Sequence, residues 1–274
     1  NESNFSTSGG FGPNQVSSIL GLGVLFALGS LVLFKNSAKI IFLLGAAALL
    51  FAAQGVMTFS RGGIYNAFGA LIVLILFQVR NFSEAAKRVI PLAALAVFFI
   101  WFVFPLLNDF TGGKLQERFE DTGTTNRFEI MQSDTLIFVE NPILGVGVGV
   151  SRNYRKQFLG FGAASHTEFS RLIAEHGSLG VLALICLSTA MFVNVKNQRS
   201  TLGRSLIAGG AVWSGLYMLG TGMRLAAPSV LLGLTFISIG GRTILSKRSR
   251  MRSGRKSTQS YTKEEDSEIP VGTI

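Results

Sequence analysis

The sequence predicts an all-α protein, a polytopic bundle of about seven transmembrane helices with a partly helical loop on one side of the membrane. Three observations predict it. Mean hydropathy is +0.44, and only 15% of the 274 residues are charged, against roughly a quarter in soluble domains. The missing charge is absent from several stretches close to the ~20 residues that cross about 30 Å of hydrocarbon. Among the aromatics, 23 Phe stand against 4 Tyr and 2 Trp, an apolar bias that suits lipid contact.

In chain order, the segment 1–15 precedes the first span. Four spans at 16–34, 40–59, 63–79 and 89–107 fill 16–107, a loop occupies 108–177, and three spans at 178–195, 205–222 and 229–245 fill 178–245. Several spans are short for one crossing, which implies tilt or local irregularity. Lys35 and Lys39, then Arg80, Lys87 and Arg88, then Lys196, Arg199 and Arg204 fall in loops on one side, and the excess of Lys and Arg marks that side as cytoplasmic. The tail 246–274 begins on the same side with Lys247, Arg248, Arg250, Arg252, Arg255 and Lys256. Much of the net charge of +10 lies there. A basic run just after a span is an anchor to anionic lipid rather than a nucleic-acid surface, so no nucleic-acid partner is expected. The tail turns acidic and polar after Thr262, a composition of disorder. The single cysteine, Cys186, excludes an internal disulfide and argues against a cysteine-based metal site. No charged n-region precedes the first apolar run and the first residue is Asn, so the chain is expected to begin inside a longer protein.

The loop 108–177 lies opposite the basic loops, and its positive and negative charges are nearly matched. A loop this long is functional or folded. One helix is expected from Asn126, a good N-cap with Glu129 three residues on, with Phe128, Met131, Thr135 and Phe138 along one face and Pro142 ending it. Arg127 then sits in the first turn, where the macrodipole disfavours a cation, and its position hints at a task beyond helix support. A second helix is expected from Ser165, because Ser165-His166-Thr167-Glu168 matches a capping box and Gly177 supplies a stop. His166 would occupy the first helical position, where the dipole favours a neutral ring able to accept a proton and free N–H groups attract phosphate. Glu168, Arg171 and Glu175 have the spacing of helix-surface ion pairs, and His176 beside Gly177 reads as a helix C-terminal residue. Gly145, Gly147 and Gly149 read as a turn or a close-packed entry. No internal repeat and no acidic pair with metal-site spacing stands out.

Arg61, in Phe59-Ser60-Arg61-Gly62-Gly63, and Arg224, in Thr221-Gly222-Met223-Arg224-Leu225, both lie between apolar runs on the side of the long loop. An arginine near hydrocarbon is costly unless it snorkels or finds a partner. Its planar fork grips phosphate oxygens two at a time, and the glycines beside both arginines allow a ligand close to the backbone. Two such arginines on the side of His166 and Arg127 point to an anion site.

The motifs Ser60-Arg61-Gly62-Gly63, Asn126-Arg127-Phe128, Asn141-Pro142-Ile143-Leu144-Gly145-Val146-Gly147, His166-Thr167-Glu168-Phe169 and Glu175-His176-Gly177-Ser178-Leu179-Gly180 resemble, in their order and spacing, those of bacterial O-antigen ligases and the related O-antigen and exopolysaccharide polymerases. The resemblance covers about Gly12 to Arg224. It implies a membrane glycosyltransferase with about a dozen spans, of which this chain would be the C-terminal portion. The site would lie on the periplasmic face of the bacterial inner (plasma) membrane and serve cell-surface polysaccharide and lipopolysaccharide biosynthesis. The reaction would move a glycan from undecaprenyl diphosphate to a glycan or lipid A-core acceptor with inversion, without a nucleotide sugar, a cofactor or an obligatory metal. The family's loop histidine matches His166, the expected catalytic group, and its diphosphate-binding arginines match Arg61 and Arg127. Arg224 rests on the physical argument alone. Ligases often have Asn after the histidine where this chain has Thr167, and the acceptor, polymerase or ligase type, stays open. A transporter or flippase of lipid-linked glycans is the alternative; it would use the same arginines but need no base.

Overall fold

The computed structural model describes residues 5–79, 82–121, 127–222, 225–237 and 239. The chain divides into Asn1–Ser238 and Ile239–Ile274, and the fold below is that of the first unit. It is helical throughout the described residues: α1 (Pro13–Leu33), α2 (Ala38–Met57), α3 (Gly62–Gln78), α4 (Phe82–Phe98), α5 (Phe104–Phe110), α6 (Lys114–Glu120), α7 (Arg127–Glu140), α8 (Ser151–Leu159), α9 (Glu168–Asn197), α10 (Thr201–Gly220) and α11 (Ala226–Leu234).

Four helical stretches are long and apolar enough to cross a membrane: Pro13–Leu33, Ala38–Met57, Ser83–Phe110 and Glu168–Asn197. Gly62–Gln78 is apolar but shorter. These match five of the seven expected spans to within a few residues at most ends. The sixth coincides with α10, and the seventh, expected at 229–245, is covered at its start by α11, while its end from residue 240 on lies outside the described residues. Between α4 and α5 the helix opens into a π-turn, Phe99–Val103. It lies just before Pro105, which has no N–H to offer the carbonyl four residues back, so the backbone re-pairs at longer spacing.

The packing explains why the apolar residues fall on these faces. The core joins Leu22, Leu25 and Val32 of α1 to Ala70, Leu71 and Leu74 of α3, Trp213 and Tyr217 of α10, and Leu231 of α11. Trp213 and Tyr217 stack with centroids 5.5 Å apart. By contrast, the most apolar stretch, Ser83–Phe110, buries none of its most apolar window, and Phe42, Leu50, Trp101, Leu106 and Phe192 all point outward. Apolar surface this extensive is stable in hydrocarbon and not in water. The chain is therefore a multi-pass membrane protein.

The loop 108–177 is folded, as its length suggested. It contains α6 and α8 in addition to the two helices read from the sequence. The face chosen for α7 is corrected: Ile130, Ser133, Asp134 and Ile137 are buried, whereas Phe128, Met131 and Thr135 are exposed. Aromatic spacing pointed to the wrong side because the buried face carries a charged hub, described below.

Candidate active site

Arg61 stands on a turn that the sequence builds from small polar residues. After α2, Thr58 donates its Oγ1 hydrogen to Gly55 O (2.7 Å) and accepts from Ser60 N (3.3 Å). Ser60 Oγ donates to Asn14 Oδ1 (2.7 Å), and Ser17 Oγ donates to Ser60 O (2.8 Å) while accepting from Gly63 N (3.2 Å). This knits the Ser60-Arg61-Gly62-Gly63 turn to the first turns of α1. The approach is closer than any side chain would allow: a Cβ on Gly63 would fall 1.9 Å from Ser17 O, and one on Gly21 would fall 2.2 Å from Gly63 O. Phe59 has φ +58°, a left-handed conformation that is costly for a bulky residue and typical of positions held by their surroundings.

α6 and the residue after it close over this turn. Arg61 Nη2 donates to Asp121 O (2.8 Å). Arg118 Nε donates to Phe59 O (3.3 Å), and its Nη1 lies 3.4 Å from Asp121 Oδ2. Arg127, the first residue of α7, completes a group of three guanidinium groups. Burial, then Arg118, then Arg61 push its pKa below the ordinary arginine value. Its Nε is buried without a hydrogen-bond partner among the described residues. Buried donors are nearly always paired. An unpaired guanidinium nitrogen beside two like charges is the electrostatic signature of a place for an anion.

The structure therefore brings Arg61 and Arg127 together, and it adds Arg118, which sequence reading missed. Arg118 had no motif around it and counted only as one of the loop's nearly matched charges. Arg224 and the expected N-cap Asn126 lie outside the described residues.

His166 stands at the far end of the same framework. The capping-box expectation is corrected here. α9 begins at Glu168, with Thr167 as its N-cap residue, so His166 precedes the helix instead of opening it. Ser165 does not cap the helix because its hydroxyl is used elsewhere. Its Oγ lies 2.8 Å from Thr167 O, 3.2 Å from Asp134 Oδ2 and 3.4 Å from Thr167 N, closing a tight turn around His166. Glu168 turns instead to Arg171, which also reaches Glu175 Oε2 (3.0 Å). These pairs have the expected spacing but not the expected exposure, since Glu168 and Glu175 are both buried.

Beneath the turn, Asp134 accepts from Arg155 Nε (2.6 Å) and Ser170 Oγ (2.6 Å) as well as from Ser165. Arg155 donates further to Ala163 O (2.9 Å) and Ser151 Oγ (3.0 Å), and Ser151 Oγ donates to Glu175 Oε1 (2.7 Å). Asp134 is 0% and Arg155 1% exposed.

The glycine motif locks this assembly to α9. Gly145, Gly147 and Gly149 all have positive φ. Val146 N donates to Ala174 O (3.1 Å), Gly147 N to Glu175 O (3.0 Å) and Ser178 N to Pro142 O (2.7 Å). A Cβ on Gly145 would fall 2.4 Å from Glu175 C and 2.6 Å from Gly177 N. Gly177 breaks the helix with φ 59° and ψ −138°, so the chain stops as expected and then resumes as the span. His176 ends the part of α9 before this break.

Arg127 and Asp134 are seven residues apart on α7, two turns along one face and about 10 Å on the axis. Contacts between the two segments run in the same direction on both: Asp134 of α7 meets Ser165, just before α9, and Ser170 within it, and Pro142, just past α7, meets Ser178 of α9. One helix thus carries the cationic group at its start and the anchor of the His166 turn two turns later. Such a site can hold a polyanion at one end and offer an imidazole at the other.

A family model described as O-antigen ligase matches residues 46–185. The match runs from the middle of α2 to beyond the break in α9 and takes in Arg61, Arg118, Arg127 and His166. No curated protein matches the chain.

Proposed function

The chain belongs to the O-antigen ligase family, and from that premise we propose that it transfers a glycan from undecaprenyl diphosphate to an acceptor sugar hydroxyl on the periplasmic face of the inner membrane. The family makes the protein a membrane glycosyltransferase of the ligase or polymerase kind. The observation that carries the finer reading is the group Arg61, Arg118 and Arg127, with Arg127 Nε buried and unpartnered. A diphosphate supplies the charge and the acceptor oxygens that this group lacks. In an apolar setting such contacts strengthen.

In the proposed reaction the acceptor oxygen attacks the anomeric carbon from the face opposite the diphosphate. The bond from that carbon to the diphosphate oxygen breaks, its electron pair leaves with undecaprenyl diphosphate, and the acceptor proton passes to His166. Arg61, Arg118 and Arg127 stabilise the charge that grows on the leaving group, and Arg224 enters as a fourth candidate for the same task. The folded loop excludes water that would otherwise hydrolyse the donor. The reaction needs no cofactor in this reading. The acceptor is a growing repeat-unit chain or lipid A-core, and the product distinguishes polymerase from ligase.

The test is transfer by the full-length protein in nanodiscs supplied with undecaprenyl-diphosphate-linked repeat units, followed as glycan length and acceptor attachment. Wild type is expected to form new glycosidic bonds, while Arg61→Ala and His166→Ala do not. Arg61→Lys is expected to fail as well, because an ammonium cannot make the two-point contact. An active Arg61→Ala enzyme removes the proposed diphosphate site. Movement of the lipid-linked glycan across the membrane, with no bond formed by wild type, replaces the enzyme reading with that of a transporter.

A further inference from the structure

Asp134 is a fully buried carboxylate that neither the diphosphate site nor the proton transfer uses. It accepts from Arg155, Ser165 and Ser170, three residues separated along the chain. Two of them bracket His166. Ser165 Oγ contacts both the N–H and the carbonyl of Thr167, so the side chain of the residue before His166 is tied to the backbone of the residue after it. Ser170, one turn into α9, is tied to the same carboxylate oxygen. Arg155 holds Ala163 O on the other flank. The turn that displays His166 is thus clamped at 163, 165, 167 and 170, and each of these four contacts leads to Asp134 or to its ion pair with Arg155.

Taking over the reading of His166 as the group that receives the acceptor proton, we propose that Asp134 is the positioning residue for His166, acting through Ser165 and Ser170. A segment outside regular structure has no helical ladder to hold it. The clamp fixes the backbone from which the His166 side chain projects, and catalytic steps lose rate steeply with misplacement. Because Asp134 and Arg127 share one face of α7, the same helix sets the distance between the imidazole and the cationic group.

Removing Asp134 strips Arg155 of its buried counter-ion and is expected to unfold the loop, so the hydroxyl variants carry the test. In the nanodisc assay the full-length Ser165→Ala/Ser170→Ala protein is expected to lose turnover by about 10- to 100-fold, the scale of a small misplacement. Its KM for the lipid-linked donor is expected to stay within about twofold, since the arginines are untouched. Ser170→Thr, which keeps a hydroxyl, is expected to retain most of the wild-type rate. On a His166→Ala background the two serine substitutions are expected to cost nothing further, because groups acting as one unit do not add; where that background has no measurable rate, the Ser170→Thr comparison decides. Full turnover by Ser165→Ala/Ser170→Ala, an equal proportional loss in both backgrounds, or a rise in donor KM matching the fall in turnover overturns the proposal. If wild type forms no bond, the functional reading itself has failed. If wild type is active and His166→Ala inactive while the serine variant is unimpaired, only the positioning role is lost.

Discussion

Arginine 118 shows how one residue can matter without a motif. It is 9% exposed and bonded to Phe59 O and Asp121, so it both braces the Arg61 turn and adds charge beside Arg127. Arg118→Gln is expected to weaken donor binding by about 10- to 100-fold, the scale of one charge-assisted contact. Titration with lipid-linked donor measures it, and unchanged binding would reduce Arg118 to a structural brace. Its effect should shrink when salt is raised only if the site is open to water, since buried charges are poorly screened. His166 is a case where local pattern misled: Ser-x-x-Glu matched a capping box, but a buried carboxylate 31 residues away offered Ser165 a partner.

Helices here meet through glycine, and the cost of a methyl group can be placed. Gly63→Ala would drive a Cβ to 1.9 Å from the backbone of Ser17. Neither helix can yield without moving the other, so the α1–α3 contact that carries Arg61 must part. Gly177→Ala meets both a positive φ and the backbone of Ile143 at 2.6 Å. Each substitution is expected to cost at least about 1–3 kcal/mol, the scale of overpacking a close contact, with a strained backbone position added at Gly177. A thermal unfolding curve in detergent reads this as a lowered Tm. Gly215→Ala makes the control, since a Cβ there meets nothing within 4 Å. Equal melting of all three variants would show that these close approaches do not limit stability.

Across the whole molecule, apolar surface and basic loops set the relation to the membrane. The orientation proposed from Lys and Arg places 108–177 outside and the loop near Lys35 inside. In a Cys186→Ala background, Lys156→Cys is expected to react with a membrane-impermeant maleimide added to intact cells. Lys35→Cys is expected to react only after permeabilisation. The reverse pattern would invert the proposed topology and place the arginines on the wrong face for a periplasmic donor.

Much of the helical plan was legible because a span needs only length and hydropathy, which are local properties. The first three spans, the long π-interrupted one and the start of the post-loop span were read to within a few residues at most ends. Arg61, Arg127 and His166 stood out because each is a polar residue at an odd place in a pattern. Arg118, Asp134 and Arg155 did not, since their partners are 59, 31 and 21 residues away for the Phe59, Ser165 and Asp134 contacts, and no spacing rule joins them. The buried side of α7 was misread for the same reason: hydrophobic periodicity assumes an apolar interior, and this helix buries an ion pair. Sequence alone determined that the chain is helical, lies in a membrane and carries cations at one end of its spans. Only tertiary structure decided which cations face one another and what holds His166, because electrostatic and hydrogen-bond partners are chosen by proximity in space, and in this loop that proximity comes from segments far apart in the chain.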